Sequence, residues 1–466
     1  MERSAWLMVA KAASKKRTSK RTLNAENLKT LGAPRLARLL MDFTAGDANA
    51  KRRLRLELAA TVSPDAVAKL ARSRLKSLAR AETRISWKRM PEVYADLKAH
   101  FEAIMRTVGK EDPTLALELL WLLIAAAISI RDRAAYDPGV YQIQQAAAKP
   151  LGEAASAAKP DPEALAEDAL RVLLIEGIGG EPIVPALAPA LGEKGLAHLK
   201  RRLREHDSRS RSGRQKLLWI ADAEGDVDEF IRLHPPDERT QPHYAADIAR
   251  RLLAAGRAAE ALRTLDAAKG GTDARSVMGR PDFGWADARI ESLEALGRHD
   301  EAQEVRWSCF DLGLSARHLR GWLKRFPGFE GMEAEERAFD HAERYHPETE
   351  VVEFLVEWPD LARASAFVLG HANALDGDRH YTLLPVAEAL AARFPLAATL
   401  VLRSMIDATL AKHQHQRYKA AARHLTECAG LAAGIADFRG HPDHDSYVLT
   451  LCEQYRYVGS FWTRVE

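Results

Sequence analysis

Apolar residues along this chain recur every three or four positions. Leu36, Leu39, Leu40 and Phe43 fall on one helical face, and Leu165, Leu170, Val172 and Leu173 do so in broader form. Alternating Val-, Ile- and Thr-rich runs, the mark of strands, are nearly missing. Start signals stand where the stripes begin. Ser63-Pro64, Asp112-Pro113, Asp137-Pro138 and Asp161-Pro162 each set a capping oxygen before a proline. The cap accepts a free amide, and proline at the first helical position forfeits no hydrogen bond. Asn24 is a further cap and Gly32 a stop. The longest apolar run, LLWLLIAAAISI at 119–130, is bracketed by Glu118 and Arg131. It falls short of the about 20 residues that span a bilayer and predicts a deeply buried helix.

A second period lies above the helical one. Gly225, Gly256 and Gly297 each have a glutamate four positions on, at 229, 260 and 301, followed by Phe230, Ala261 and Ala302. Tyr244 aligns with Trp285 and Leu252 with Leu293, so the last two units are 41 residues apart and the first two 31. Each glycine is expected to end a helix in left-handed backbone, and the small residue to let the next helix pack close. Neither helix can bury its face alone, so pairs must stack. The expected fold is all-α, an α-solenoid of stacked helix pairs, tetratricopeptide-like in the C-terminal half despite the irregular spacing. Stacking continues through 383–410, which divides at Phe394-Pro395, and through 417–435, with Tyr418, Ala421, Ala422 and Leu425 inward. The predicted organisation is a flexible basic arm (1–21), an N-terminal helical domain (22–176), a Gly/Pro-rich articulation (177–195) and a C-terminal helical-repeat domain (196–466).

Three C-terminal stretches, FPLAATLVLRSMIDATL, RYKAAARHLTECAGLA and HPDHDSYVLTLCEQYRYVGSFWTRV, resemble an uncharacterised bacterial family known only as a domain of unknown function. The opening helices, TLNAENLKTLGAPRLARLLMDFTAGDANAKRRLRLELA, fit it too, so the likeness runs from about Thr22 to the end. The C-terminal part is also similar to the helical tail behind SWIM-type zinc fingers, but the closely spaced cysteines of the finger are missing. The resemblance implies an α-helical repeat fold and no functional residue.

Composition adds a charge asymmetry. The net charge of +3 conceals 22 Lys/Arg against 7 Asp/Glu in residues 1–90, which leaves the remainder acidic. The acidic density peaks at 330–378, with 13 carboxylates and 3 basic residues. Such a split points to an anionic partner at the front or to contact between the two ends. Three cysteines far apart define no disulfide framework and favour a reducing cytoplasm. The opening MERSAWLMVA is too short for a secretory segment, no membrane association is expected, and Met8 is an alternative start.

Candidate chemistry is sparse. His441, Asp443, His444 and Asp445 crowd one five-residue stretch, and His413 and His415 another, but the spacing matches no closed metal site and reads as polar loops. His341 and His346 do not share a helical face well. Glu350, Glu353 and Glu357 read as the wet side of an amphipathic helix, Cys428 and Cys452 as small core residues, and GIGG at 177–180 as a turn. Two basic clusters could neutralise phosphates: the arm, through Lys15, Lys16 and Arg17, and the stretch 199–216, through Arg201, Arg202 and Arg204. Neither interleaves aromatics for base stacking. The leading expectation is a non-catalytic cytoplasmic module that holds a protein or peptide in a concave helical groove, without cofactor or metal. The alternative is a nucleic-acid-associated factor that grips the phosphate backbone through those clusters.

Overall fold

The computed structural model describes residues 23–134, 138–175, 183–207, 210–268 and 281–465. Among them the chain is all-α, with an isolated bridge between Ile85 and Ala134. Two compact units divide between Leu233 and His234.

In the first unit the main helices are α1 (Ala25–Lys29), α2 (Ala33–Phe43), α3 (Ala48–Ala60), α4 (Pro64–Arg80) and α5 (Met90–Ala103). They are followed by α6 (Pro113–Arg133), α7 (Pro138–Ala158), α8 (Pro162–Leu173), α9 (Ile183–Asp207), α10 (Arg211–Glu224) and α11 (Val227–Leu233). Asn24, Ser63, Asp112 and Asp161 cap their helices through side-chain oxygens, each ahead of the apolar stripe it introduces. Helix α6 is the centre of this core. Leu119, Leu123, Ile124, Ala126, Ala127 and Ile130 on it are fully buried, and it packs on α4 and α7. At 21 residues it is longer than its apolar run, and by length and composition it could cross a membrane; yet 56% of its apolar window lies buried in this unit. That burial is what an all-round apolar helix obtains from neighbouring helices.

In the part of 177–195 that is described, from Ile183 on, two helical stretches meet at the non-helical Gly192. Both belong to α9, with Gly192 at φ 54° as a local kink, and Ile183, Val184, Leu187 and Leu191 are buried. The unit boundary lies some forty residues later, because α9 packs against α7, α8 and α10. The apolar stripe of α2 finds little cover among the described residues: Leu36 and Leu39 are half-buried, while Leu40 is 48% and Phe43 80% exposed.

The second unit contains α12 (Pro242–Ala254), α13 (Ala258–Asp266), α14 (Gly284–Ala295), α15 (His299–Gly313), α16 (Ala316–Leu323), α17 (Gly328–Ala342) and α18 (Glu348–Glu357). It continues with α19 (Leu361–His371), α20 (His380–Ala391), α21 (Pro395–Ala411), α22 (Tyr418–Ala432) and α23 (His444–Tyr455). Successive helices pack as neighbours, α12 on α13, α14 on α15, α20 on α21 and α21 on α22. The repeat signal has a local cause. Gly225, Gly256 and Gly297 all take positive φ, 69°, 73° and 72°. Behind them the amides of Asp226, Arg257 and Arg298 return to the carbonyls of Ala221, Leu252 and Leu293 at 2.9, 2.8 and 2.8 Å. This closes the helix end with the six-to-one bond that only a left-handed residue permits. Arg257 then pairs with Glu260 and Arg298 with Glu301, and Ala261 and Ala302 are fully buried at the contact between paired helices.

Candidate functional site

Helix α18 carries glutamates at 350, 353 and 357, a spacing that keeps them on one side. Val351, Val352 and Leu355 are buried on the other. The glutamates do not simply face bulk water. They line a cavity of about 250 Å³, together with Phe354 and with Pro281, Phe283, Gly313, Leu314 and Ser315 from the turns before α14 and α16. Glu350 and Glu353 are half-buried and Glu357 is exposed. Arg379 holds Glu350 at 3.0 Å, and Arg320 donates to the Glu357 carbonyl at 2.9 Å. The described residues lining the cavity include no Lys, Arg or His. Glutamates thus share the lining with the apolar Phe283, Leu314 and Phe354, and Glu350 among them is already paired with Arg379.

The opposite wall holds a hydrogen-bonded chain. Leu314 sits in left-handed backbone (φ 45°) and delivers Ser315 to the start of α16. The Ser315 hydroxyl caps none of the first-turn amides. It lies 2.7 Å from Nδ1 of His318, whose Nε2 lies 2.9 Å from Oδ1 of Asp287 on α14. His318 is 4% exposed and stands edge-on to the Phe283 ring at 4.9 Å. Arg317 donates to both Asp287 oxygens at 2.8 and 2.7 Å. Burial pushes the Asp287 carboxyl up, but the hydrogen bonds from His318 and Arg317 outweigh it and hold the group below the usual aspartate range. An ionised carboxylate only accepts, so the imidazole proton belongs on Nε2, and Nδ1 keeps its lone pair for the serine hydroxyl.

Of the sequence candidates for phosphate binding, Lys15, Lys16 and Arg17 lie outside the described residues. Arg201, Arg202 and Arg204 are described, and each already has a carboxylate. Arg201 pairs with Glu205 at 3.2 Å, Arg202 with Glu167 at 2.8 Å and Glu205 at 2.9 Å, and Arg204 with the buried Glu229. The hydrogen bond from Arg202, then that from His198, holds the Glu167 carboxyl at about 2. Lys200, Arg201 and Arg204 border an open depression together with Glu205 and Glu224, so a phosphate there would have to displace carboxylates.

The histidine-rich stretches are structural in placement. Asp443 caps α23 through the Ser446 amide, and Arg403 donates to the carbonyls of Pro442 and Asp443 at 2.7 and 3.2 Å, which pins the entry to that helix. His413 and His415 occupy the turn after α21, and His346 lies beyond the helix that carries His341. Among the described residues no three His, Cys, Asp or Glu side chains are arranged to hold a metal ion. Cys309 and Cys428 are buried, and burial pushes both thiols up to about 12. Cys452, expected in the core, is exposed on α23 because the buried face of that helix is carried by Tyr447 and Leu451. A second cavity, of about 540 Å³, is bordered by Arg403, Asp407 and Tyr447. Its tyrosine hydroxyl donates to Asp407 at 2.7 Å, and desolvation by the surrounding protein raises the Asp407 carboxyl.

Ser315, His318 and Asp287 carried no signal at the level of the sequence. Ser and His three apart is a common helix start, and Asp287 enters from a different helix.

A family model described as a family of unknown function, DUF6880, matches residues 18–217 and 202–464, and the chain belongs to that family. No curated protein matches it.

Proposed function

We propose that this member of a family of unknown function is an interaction module whose second unit recognises a basic peptide segment, one Lys or Arg side chain entering the Glu350–Glu353–Glu357 cavity. The single observation behind this reading is that Glu350, Glu353 and Glu357 line one recess together with Phe283, Phe354 and Leu314. Its volume of about 250 Å³ is below the roughly 300–1,000 Å³ of whole small-molecule sites, which suits one side chain better than a metabolite. The alkyl stem of Lys or Arg would lie on the apolar floor and its charged head among the glutamates. The helix pairs α12–α13 and α14–α15 support a tetratricopeptide-like reading of this region, an architecture whose surfaces take peptides. Free thiols at Cys309, Cys428 and Cys452 agree with a cytoplasmic setting.

The test is the binding of a fluorescein-labelled peptide of alternating glycine and arginine, followed by anisotropy. Wild-type protein should bind it with an affinity that falls as salt rises. Glu353→Lys should weaken it roughly tenfold or more, by replacing attraction with repulsion in the recess. Equal affinity in the two proteins would sink the proposal.

A further inference from the structure

We propose that Ser315 is a nucleophile for acyl transfer, with His318 as its general base, acting on a carboxylic ester whose acyl part carries a cationic group. The geometry has the parts such chemistry requires. A hydroxyl and an imidazole nitrogen are 2.7 Å apart, and the other ring nitrogen is 2.9 Å from a carboxylate. The serine lines a cavity that can admit a substrate. The ring is used in the opposite sense from the familiar serine-hydrolase arrangement, with Nδ1 toward the hydroxyl and Nε2 toward the aspartate. The relay needs only one nitrogen with a lone pair and one with a proton held by an acceptor, and this orientation meets both conditions. In this proposal the oxyanion takes the first amides of α16, those of Ala316 and Arg317, where helical amides lack intrahelical partners and the Ser315 side chain caps none of them.

The step balances without a further reactant except water. Ser315 Oγ bonds to the ester carbonyl carbon as its proton passes to His318 Nδ1. The tetrahedral intermediate collapses by breaking the bond to the alcohol oxygen, which leaves with that proton. Water then attacks the acyl-serine, gives one proton to His318, and releases the carboxylic acid as the proton returns to Ser315. Asp287 is a positioning residue here, holding the ring and its tautomer. Because Arg317 shares that carboxylate, the base is weaker than in a dedicated hydrolase, and turnover should be slow.

The recognition of a cationic acyl group rests on the glutamate cavity proposed above; the nucleophile does not. The first experiment therefore uses a neutral fluorophosphonate on the full chain, with the adduct mapped by mass spectrometry. Phosphonylation of Ser315 is expected, at a rate that rises with pH as an imidazole deprotonates. Ser315→Ala should abolish the adduct and lower the melting temperature only modestly, since the side chain removed caps no helix amide but leaves Nδ1 of the buried His318 without its partner. Asp287→Asn should slow labelling roughly tenfold or more. It should also move the midpoint of the pH profile downward, because the imidazolium loses its anion; a purely structural aspartate would leave that midpoint in place. Folded wild-type protein that gains no adduct at Ser315 overturns the proposal. The second experiment compares hydrolysis of arginine ethyl ester with that of ethyl acetate, in wild type and in Glu353→Gln. Labelling at Ser315 without preference for the arginine ester would remove the glutamate reading and leave the nucleophile standing.

Discussion

The two units solve the same packing problem with different side chains. Among the described residues the buried main core of the first is made of Leu, Ile, Val and Ala with one methionine, Met90, and its rings, Tyr94, Phe101, Trp121 and Trp219, are only partly buried against it. The core of the second includes Phe310, Phe339, Phe354, Phe367, Tyr418, Tyr447 and Phe461. Small aliphatic residues let helices approach until backbones touch. At Gly152 of α7, a Cβ would lie 2.1 Å from the carbonyl oxygen of Ala186 on α9. Rings are larger, prefer tilted contacts and carry polar handles. Phe354 meets Phe310 at 5.5 Å and Trp358 at 5.8 Å, both tilted, and the Trp358 indole donates to Glu335. The glutamate cavity and the one beside Arg403 lie in this second unit, whereas the first carries the open depression beside Lys200, Arg201 and Arg204.

The sharpest way to break this contrast is to truncate each core in turn. Phe354→Ala should cost about 3–5 kcal/mol and Leu123→Ala about 2–5 kcal/mol. Hydrogen exchange should rise mainly in peptides of the mutated unit. If Phe354→Ala leaves exchange in α17 and α18 unchanged, the aromatic layer is not what holds the second unit. A step down in size, Gly152→Ala should cost about 1–3 kcal/mol, because the added methyl meets a backbone oxygen that cannot swing away. A urea midpoint equal to that of the wild type would show that α7 and α9 have slack between them. The smallest effect concerns charge on the first unit's surface. Glu167 titrates near 2 when folded against an ordinary 4.5, so its stabilisation is complete above pH 4.5 and disappears as pH falls toward 2. Glu167→Gln should thus melt slightly below wild type at pH 6 and alongside it near pH 2, with the gap closing in high salt because the pair is exposed. A gap that stays constant across that range would separate the effect from ionisation.

Local signals were read well from the sequence because their causes are local. A capping oxygen before proline and a glycine with an acid four residues on each act within one turn, so Asp112, Asp161, Gly256 and Gly297 mark helix ends whatever surrounds them. Facing was less legible. The stripe on α2 looks the same in sequence as the stripe on α8, yet Leu170 is 2% exposed and Phe43 80%, since cover comes from helices elsewhere in the chain. Cys452 was misplaced for the same reason. The Gly/Pro density of 177–195 marks a break, and in the described part helical geometry is interrupted at Gly192, while the flanking Leu187, Leu191 and Leu196 stay in the core.

Helical class, helix ends and the paired repeat were determined by the sequence alone, because 3.6-residue periodicity and capping chemistry need only neighbours along the chain. Tertiary structure alone decided that Glu350, Glu353 and Glu357 share a recess rather than a wet face, and that the basic run at 200–204 is matched by carboxylates from α8, α10 and α11. It also decided that an aspartate from α14 meets a histidine and a serine from the start of α16. Those contacts join residues from some twenty to more than seventy positions apart, set by which helices touch, and no local pattern encodes them.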